Sequence, residues 1–186
     1  DYLKTDKWLS EILEINSYNL NYSIECDLDE IKKTISKLHK NSFITAKISS
    51  NNINKLIKIQ DCGFFLIDCL LNYSVTTKEL INYNNQSVSN LKFFIRESLN
   101  EEKDYITEIA SKSFLYSRFH QDPNISKNKA SKIKSEWIKN FFNGKRGDKL
   151  FVAVSEKNSE VIGFILLIEK ENFLLKTKDI VIDLIS

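Results

Sequence analysis

Leu28, Ile31, Ile35 and Leu38 recur at three- and four-residue intervals, the period of a helix with one buried face. Asp27 stands where an N-cap belongs and Glu30 supplies the other half of a capping box. Lys37, His39 and Lys40 suit the negative C-terminal end, which makes His39 an exposed helix-end cation. Residues 43–48 then read as a strand. Asn51 or Asn52 caps a short helix carrying Ile53, Leu56 and Ile57, and Gly63 stops it. Residues 64–71 are apolar on both faces, which predicts an inner strand. Upstream, residues 12–15 and 18–24 predict two short strands around a polar turn, the second alternating apolar with polar. The pattern changes at 74–90, where Ser, Thr, Asn and Gln dominate, as in a linker.

After that stretch a second pattern begins. Residues 91–97 predict a strand. Glu101, Glu102 and Asp104 place negative charge in the first turn of a helix that buries Ile106, Ile109, Ala110 and Ser113. Asn124 or Ser126 caps a longer helix with Ala130, Ile133, Trp137 and Phe141 on one stripe and a solvated lysine face. Gly144-Lys145-Arg146-Gly147 closes a helix and precedes a strand. A phosphate cradle has the opposite order, so this is a turn. Residues 150–154, 161–167 and 180–186 predict three strands in meander order, with Gly163 marking a bulge or a close backbone approach. The chain thus divides into an αβ half-domain at 1–73, a polar linker at 74–90 and a second αβ unit at 91–186.

Composition narrows the class. With 42% hydrophobic and 28% charged residues and a net charge of +2, the chain has the makeup of a soluble globular protein. That charge supplies no field that would favour nucleic acid or a membrane as partner. Cys26, Cys62 and Cys69 are odd in number and lack C-x-x-C spacing, which argues against disulfides and bound metal and for free thiols in a cytoplasmic protein. The chain opens on Asp1 and contains no Met, which reads as part of a longer gene product.

Candidate chemistry gathers in the loop between the last two helices. Tyr116-Ser117-Arg118-Phe119-His120-Gln121-Asp122-Pro123 holds an arginine, one of two histidines, a carboxylate and the only proline. Loops between fixed helices are where binding groups concentrate. Arg118 suits a phosphate bound through two parallel hydrogen bonds, and His120 suits a proton relay or sugar contact. Asp122 would fix His120 or bind an acceptor amine. The same residues also fit a self-contained loop, with Asp122 capping the next helix and Arg118 in a surface ion pair.

The run Ser117-Arg118-Phe119-His120-x-Asp122, followed by a helix bearing Ala130 and Trp137, resembles the GNAT superfamily of N-acetyltransferases, and within it the group acting on TDP-fucosamine. Ala46-Lys47-Ile48, Asn52-Ile53, Gly63-Phe64, Asp68 and Val161-Ile162-Gly163-Phe164-Ile165 agree with that group. The resemblance implies an α+β fold with a mostly antiparallel central sheet flanked by helices, preceded by an αβ half-domain. It implies acetyl transfer from acetyl-CoA to the amine of a nucleotide-linked amino sugar. Asp183 and His120 would be catalytic, and Ser117, Arg118 and Asp122 would bind the acceptor. Leu184, Ile185 and Ser186 would offer backbone groups to the pantetheine arm. No metal is implied. The superfamily's glycine-rich pyrophosphate loop and its thiolate-protonating tyrosine would follow Ser186. The expectation is therefore a C-terminally incomplete fold that binds acetyl-CoA weakly at most by itself and whose open edge invites a second copy of the chain. A rival from another class is a degenerate member of that fold that binds a ligand or partner without catalysis.

Overall fold

The computed structural model describes residues 2–22, 27–83, 92–173 and 176–186. Expectations that fall on Ile24, Cys26, Leu91 and the whole of 84–90 lie outside the described residues. The chain is a mixed helix-and-sheet protein of the α+β kind with two sheets. It divides into two compact units, one of Asp1–Asp68 with Asp122–Ile125, the other of Cys69–Gln121 with Ser126–Ser186.

In the first unit, β1 (Leu3–Thr5) pairs antiparallel with β2 (Ser17–Leu20). Between them lies α1 (Lys7–Leu13), whose N-cap Asp6 accepts from the Leu9 N–H at 2.9 Å. The first strand expected at 12–15 is therefore not formed. Ile12 and Leu13 stand three and four residues beyond Leu9, so a helix buries all three together, and Glu14 ends it in the left-handed region at φ 59°.

The predicted helix over 28–38 is present as α2 (Leu28–Ser36), capped by Asp27. It is the crossover that lets β3 (Phe43–Ala46) lie parallel to β2. His39 is exposed just past this helix and accepts from the Asn41 N–H through Nδ1 at 3.2 Å. Asn52 caps α3 (Ile53–Gln60), accepting from the Lys55 N–H at 3.0 Å. Leu20, Ile31 and Ile59 form the centre of this core, with Cys62 half-buried beside it as a free thiol.

Residues 64–71 do not form the expected inner strand. No strand pairs with them among the described residues, and Phe65, Leu66, Leu70 and Leu71 are exposed. An apolar run becomes an inner strand only where neighbours complete its ladder, and here β3 ends the sheet.

The second unit opens with exposed backbone and α4 (Thr77–Tyr83), which crosses the stretch read as linker. Thr76 and Glu79 cap it reciprocally: Thr76 donates N–H and O–H to Glu79 Oε2, and the Glu79 N–H returns to Thr76 Oγ1.

Strands β4 (Phe93–Glu97), β5 (Lys149–Ser155), β6 (Val161–Asn172) and β7 (Thr177–Ile185) form one antiparallel sheet in chain order. Leu150, Val152, Val154, Phe164, Leu166 and Leu184 turn to one face. There they pack against Ile106 and Ala110 of α5 (Lys103–Ser113) and Ile138 of α7 (Lys127–Phe142). A short 3₁₀ turn leads into α5, where Glu102 accepts from Leu99 N–H and from both terminal nitrogens of Arg96.

Two irregularities shape this sheet. Ala153 faces Gly163 and Val154 faces Val161, so Ile162 is an extra residue in β6. Leu166 faces Leu184 and Leu167 faces Ile182, so Asp183 is an extra residue in β7. Gly163 also meets the close approach expected of it. A Cβ there would lie 2.6 Å from the Ser186 carbonyl oxygen, which accepts from the Phe164 N–H.

Candidate functional site

The loop read as the chemical centre folds into α6 (Arg118–Gln121), a single turn entering α7. Ser126, not Asp122, caps α7, accepting from the Lys129 N–H at 3.3 Å. Asp122 instead accepts from the Asn124 N–H at 2.9 Å, and its carbonyl accepts from the Ile125 N–H, which closes a turn on its own backbone.

The hydrogen-bond partners of His120 are two serines. Because α6 is helical, Ser117 Oγ stands 2.8 Å from Nδ1, three residues back. Ser131 on α7 places Oγ 3.3 Å from Nε2. A neutral imidazole donates from one nitrogen and accepts at the other, and a hydroxyl serves either, so both nitrogens can be satisfied without a charge. Burial lowers the His120 pKa below the ordinary 6.5, and the cations Lys134 and Lys127 add to the effect. At neutral pH this direction favours the free base. Arg118 lays its guanidinium over the Phe119 ring at 4.6 Å and meets no carboxylate among the described residues. Its hydrogen-bond donors are thus not spent on an ion pair.

A row of charged and aromatic groups runs from His120 to β7. Lys134, next to act on His120, is only 7% exposed. Its ammonium lies 4.8 Å from the Phe114 ring centre and 4.1 Å from that of Trp137. The same indole carries Arg146 at 4.5 Å. Ring faces attract cations, and α7 brings Lys134 and Trp137 together at three-residue spacing. Arg146 then clamps Asp183: Nε donates to Oδ2 at 2.6 Å and Nη2 to Oδ1 at 2.7 Å. The bulge in β7 turns Asp183 out of strict alternation, and the Gly144–Gly147 turn delivers Arg146 to it. Gly144 and Gly147 hold φ of 66° and 77°, and a Cβ on Gly147 would press on the Leu166 side chain at 2.6 Å.

The expected pantetheine contacts divide by position. Leu184 is buried in the core, and Ser186 exchanges both backbone bonds with Phe164. Alternation along an antiparallel pair sends the Ile185 N–H and C=O to the outer edge of β7, the free edge of this sheet, and its side chain is exposed.

Two members of this row were not anticipated. Lys134 was grouped with the solvated lysines of α7, although it continues the inward stripe between Ala130 and Trp137. Arg146 was read as part of a plain turn, and its partner lies 37 residues away, where only strand register reveals it. Among the described residues, no group of three His, Cys, Asp or Glu could hold a metal ion, and no helix is long and apolar enough to cross a membrane.

Together the fold and this row define an α+β protein with a neutral histidine beside a line of aromatic-bound cations. No family model matches the chain. Over 64 residues it is 38% identical to the spore coat polysaccharide biosynthesis protein SpsD of Bacillus subtilis (strain 168). That match takes in 34% of this chain and spans only 21% of that protein.

Proposed function

We propose that the protein transfers the acetyl group of acetyl-CoA to the amine of a small molecule, an amino sugar linked to a nucleotide, in the cytoplasm. The observation that carries this reading is His120, an imidazole kept unprotonated by its surroundings and held by two hydroxyls. When an amine attacks a thioester, nitrogen forms the new bond to the carbonyl carbon, the C–S bond breaks with its electron pair leaving on sulfur as the CoA thiolate, and the nitrogen sheds a proton. A neutral imidazole within reach takes that proton. Asp183 would have to surrender a charge-assisted bond from Arg146 to do the same, so in this reading it anchors Arg146, and His120 is the base.

Arg118 receives the acceptor's phosphate, with Ser117 beside it in sequence as a further acceptor contact. The outward backbone of Ile185 receives the pantetheine amide as an added strand would. The printed role of SpsD in polysaccharide biosynthesis supports a sugar acceptor.

The test is transfer of labelled acetyl from acetyl-CoA by the full-length protein to nucleotide-linked amino sugars, free amino sugars and amino acids. Labelled nucleotide-sugar product is the expected result. Labelling of amino acids alone would overturn the acceptor. Tight ligand binding with no transfer to any amine would favour a non-catalytic module instead.

A further inference from the structure

The first unit carries a cavity of about 370 Å³ that the acetyl-transfer reading does not use. Two lysines, Lys47 and Lys55, line it together with Tyr22, and among the described residues no acidic one does. Its construction is local. The chain leaves β3 through Lys47 and turns where the Asn52 N–H reaches the Ser49 carbonyl at 3.1 Å. Asn52 then caps α3, which brings Lys55 back to the same hollow. Lys55 is held there: Nζ donates to the Tyr22 carbonyl at 3.2 Å and lies 5.1 Å from the centre of the Tyr22 ring. An ammonium has three donors, so one such bond leaves others for a ligand. Ser49 and Asn51 add neutral polar groups to the lining.

We propose that this cavity binds a phosphate ester of a ring compound, a sugar phosphate or nucleotide, with the phosphate between Lys47 and Lys55 and the ring against Tyr22. A phosphate monoester carries a charge of roughly −1.5 to −2 at pH 7, which two lysines match and one carboxylate would not. The volume is that of a small-ligand site and far exceeds a bare phosphate. Sugar and base share an apolar face that an aromatic ring can cover. This inference stands on unit-one residues alone and does not depend on acetyl transfer.

Calorimetric titration of the whole chain at low salt tests it, with uridine monophosphate, glucose 6-phosphate, inorganic phosphate, uridine and glucose as probes. At least one ester should bind more tightly than inorganic phosphate, and the tighter of the two names the ring. The unphosphorylated compounds should not bind. Lys47 is exposed, so Lys47→Gln should fold normally and weaken the ester about tenfold, the loss of one charged hydrogen bond. Amide shifts in the nuclear magnetic resonance spectrum should gather in residues 47–55. Wild-type affinity in Lys47→Gln, equal binding of ester and inorganic phosphate, shifts confined to the second unit, or no binding would each overturn the proposal.

Discussion

His120 shows how a residue's chemistry follows from its immediate surroundings. Its pKa is lowered by burial first and by Lys134 and Lys127 next, so the folded protein binds this proton less readily than the unfolded chain does. Its contribution to stability is present above the unfolded value of about 6.5 and is lost as pH falls through the window between that value and the lower folded one. In denaturant melts, wild type should therefore lose stability relative to His120→Gln as pH falls below about 6.5, with a constant difference above it. A constant difference from pH 8 to pH 5 would contradict the cited environment. Ser131→Ala should leave the fold intact and move the imidazole titration, since it removes the Nε2 partner.

Arg118 offers a second test at this scale. If it receives phosphate, Arg118→Ala should raise the acceptor KM by roughly 10- to 150-fold, the equivalent of about 1.5–3 kcal/mol, and leave acetyl-CoA binding alone. Unchanged acceptor kinetics would remove it from the site. At the Arg146–Asp183 pair, geometry matters as well as charge. Arg146→Lys keeps the cation, loses the two-pronged grip, and should cost about 1–2 kcal/mol in urea unfolding, reduced by the partial exposure of the arginine. A neutral result would show that the clamp adds nothing to stability.

At the level of elements, close approaches make the sharpest predictions. Gly163→Ala would drive a methyl into the Ser186 carbonyl and should separate the ends of β6 and β7, with a loss of about 1–3 kcal/mol. A wild-type melting temperature would mean that this edge moves freely. Thr107 is buried on α5 with its hydroxyl unpartnered among the described residues. Thr107→Val, of nearly the same shape, should be neutral or stabilise by up to roughly 2 kcal/mol.

Much of this layer was legible. The capped helices α2, α3 and α7, the charged entry to α5 and the meander of β5, β6 and β7 all announce themselves by spacing. What failed was whatever depends on neighbours. Residues 64–71 look like an inner strand because nothing local says that no strand lies beside them. Residues 12–15 look extended when read without Leu9, whose spacing to Ile12 and Leu13 is helical. Of the two serine partners of His120, Ser117 was within reach, one helical turn back, whereas Ser131 lies eleven residues on in α7. Asp183 meets Arg146 through a bulge and a turn that local pattern does not encode.

Across the whole molecule, residues 69–81 are exposed throughout, and the boundary between the two units falls at Asp68 and Cys69. Limited digestion should cut this stretch first, with trypsin entering at Lys78 and two large pieces accumulating. First cuts inside α5 or α7 would show that the second unit is the weaker part.

The claim on which the functional account rests is that His120 accepts the proton from the attacking amine. The pH dependence of kcat/KM for acetyl transfer, measured in the full-length protein and in His120→Gln, tests it most directly. The account predicts a wild-type rate that climbs with pH through one ionisation below 6.5, the ordinary histidine value, and then levels. The variant should bind acetyl-CoA normally, lose about 10²-fold or more in kcat, and lose that ionisation. An identical profile and rate in His120→Gln would contradict it.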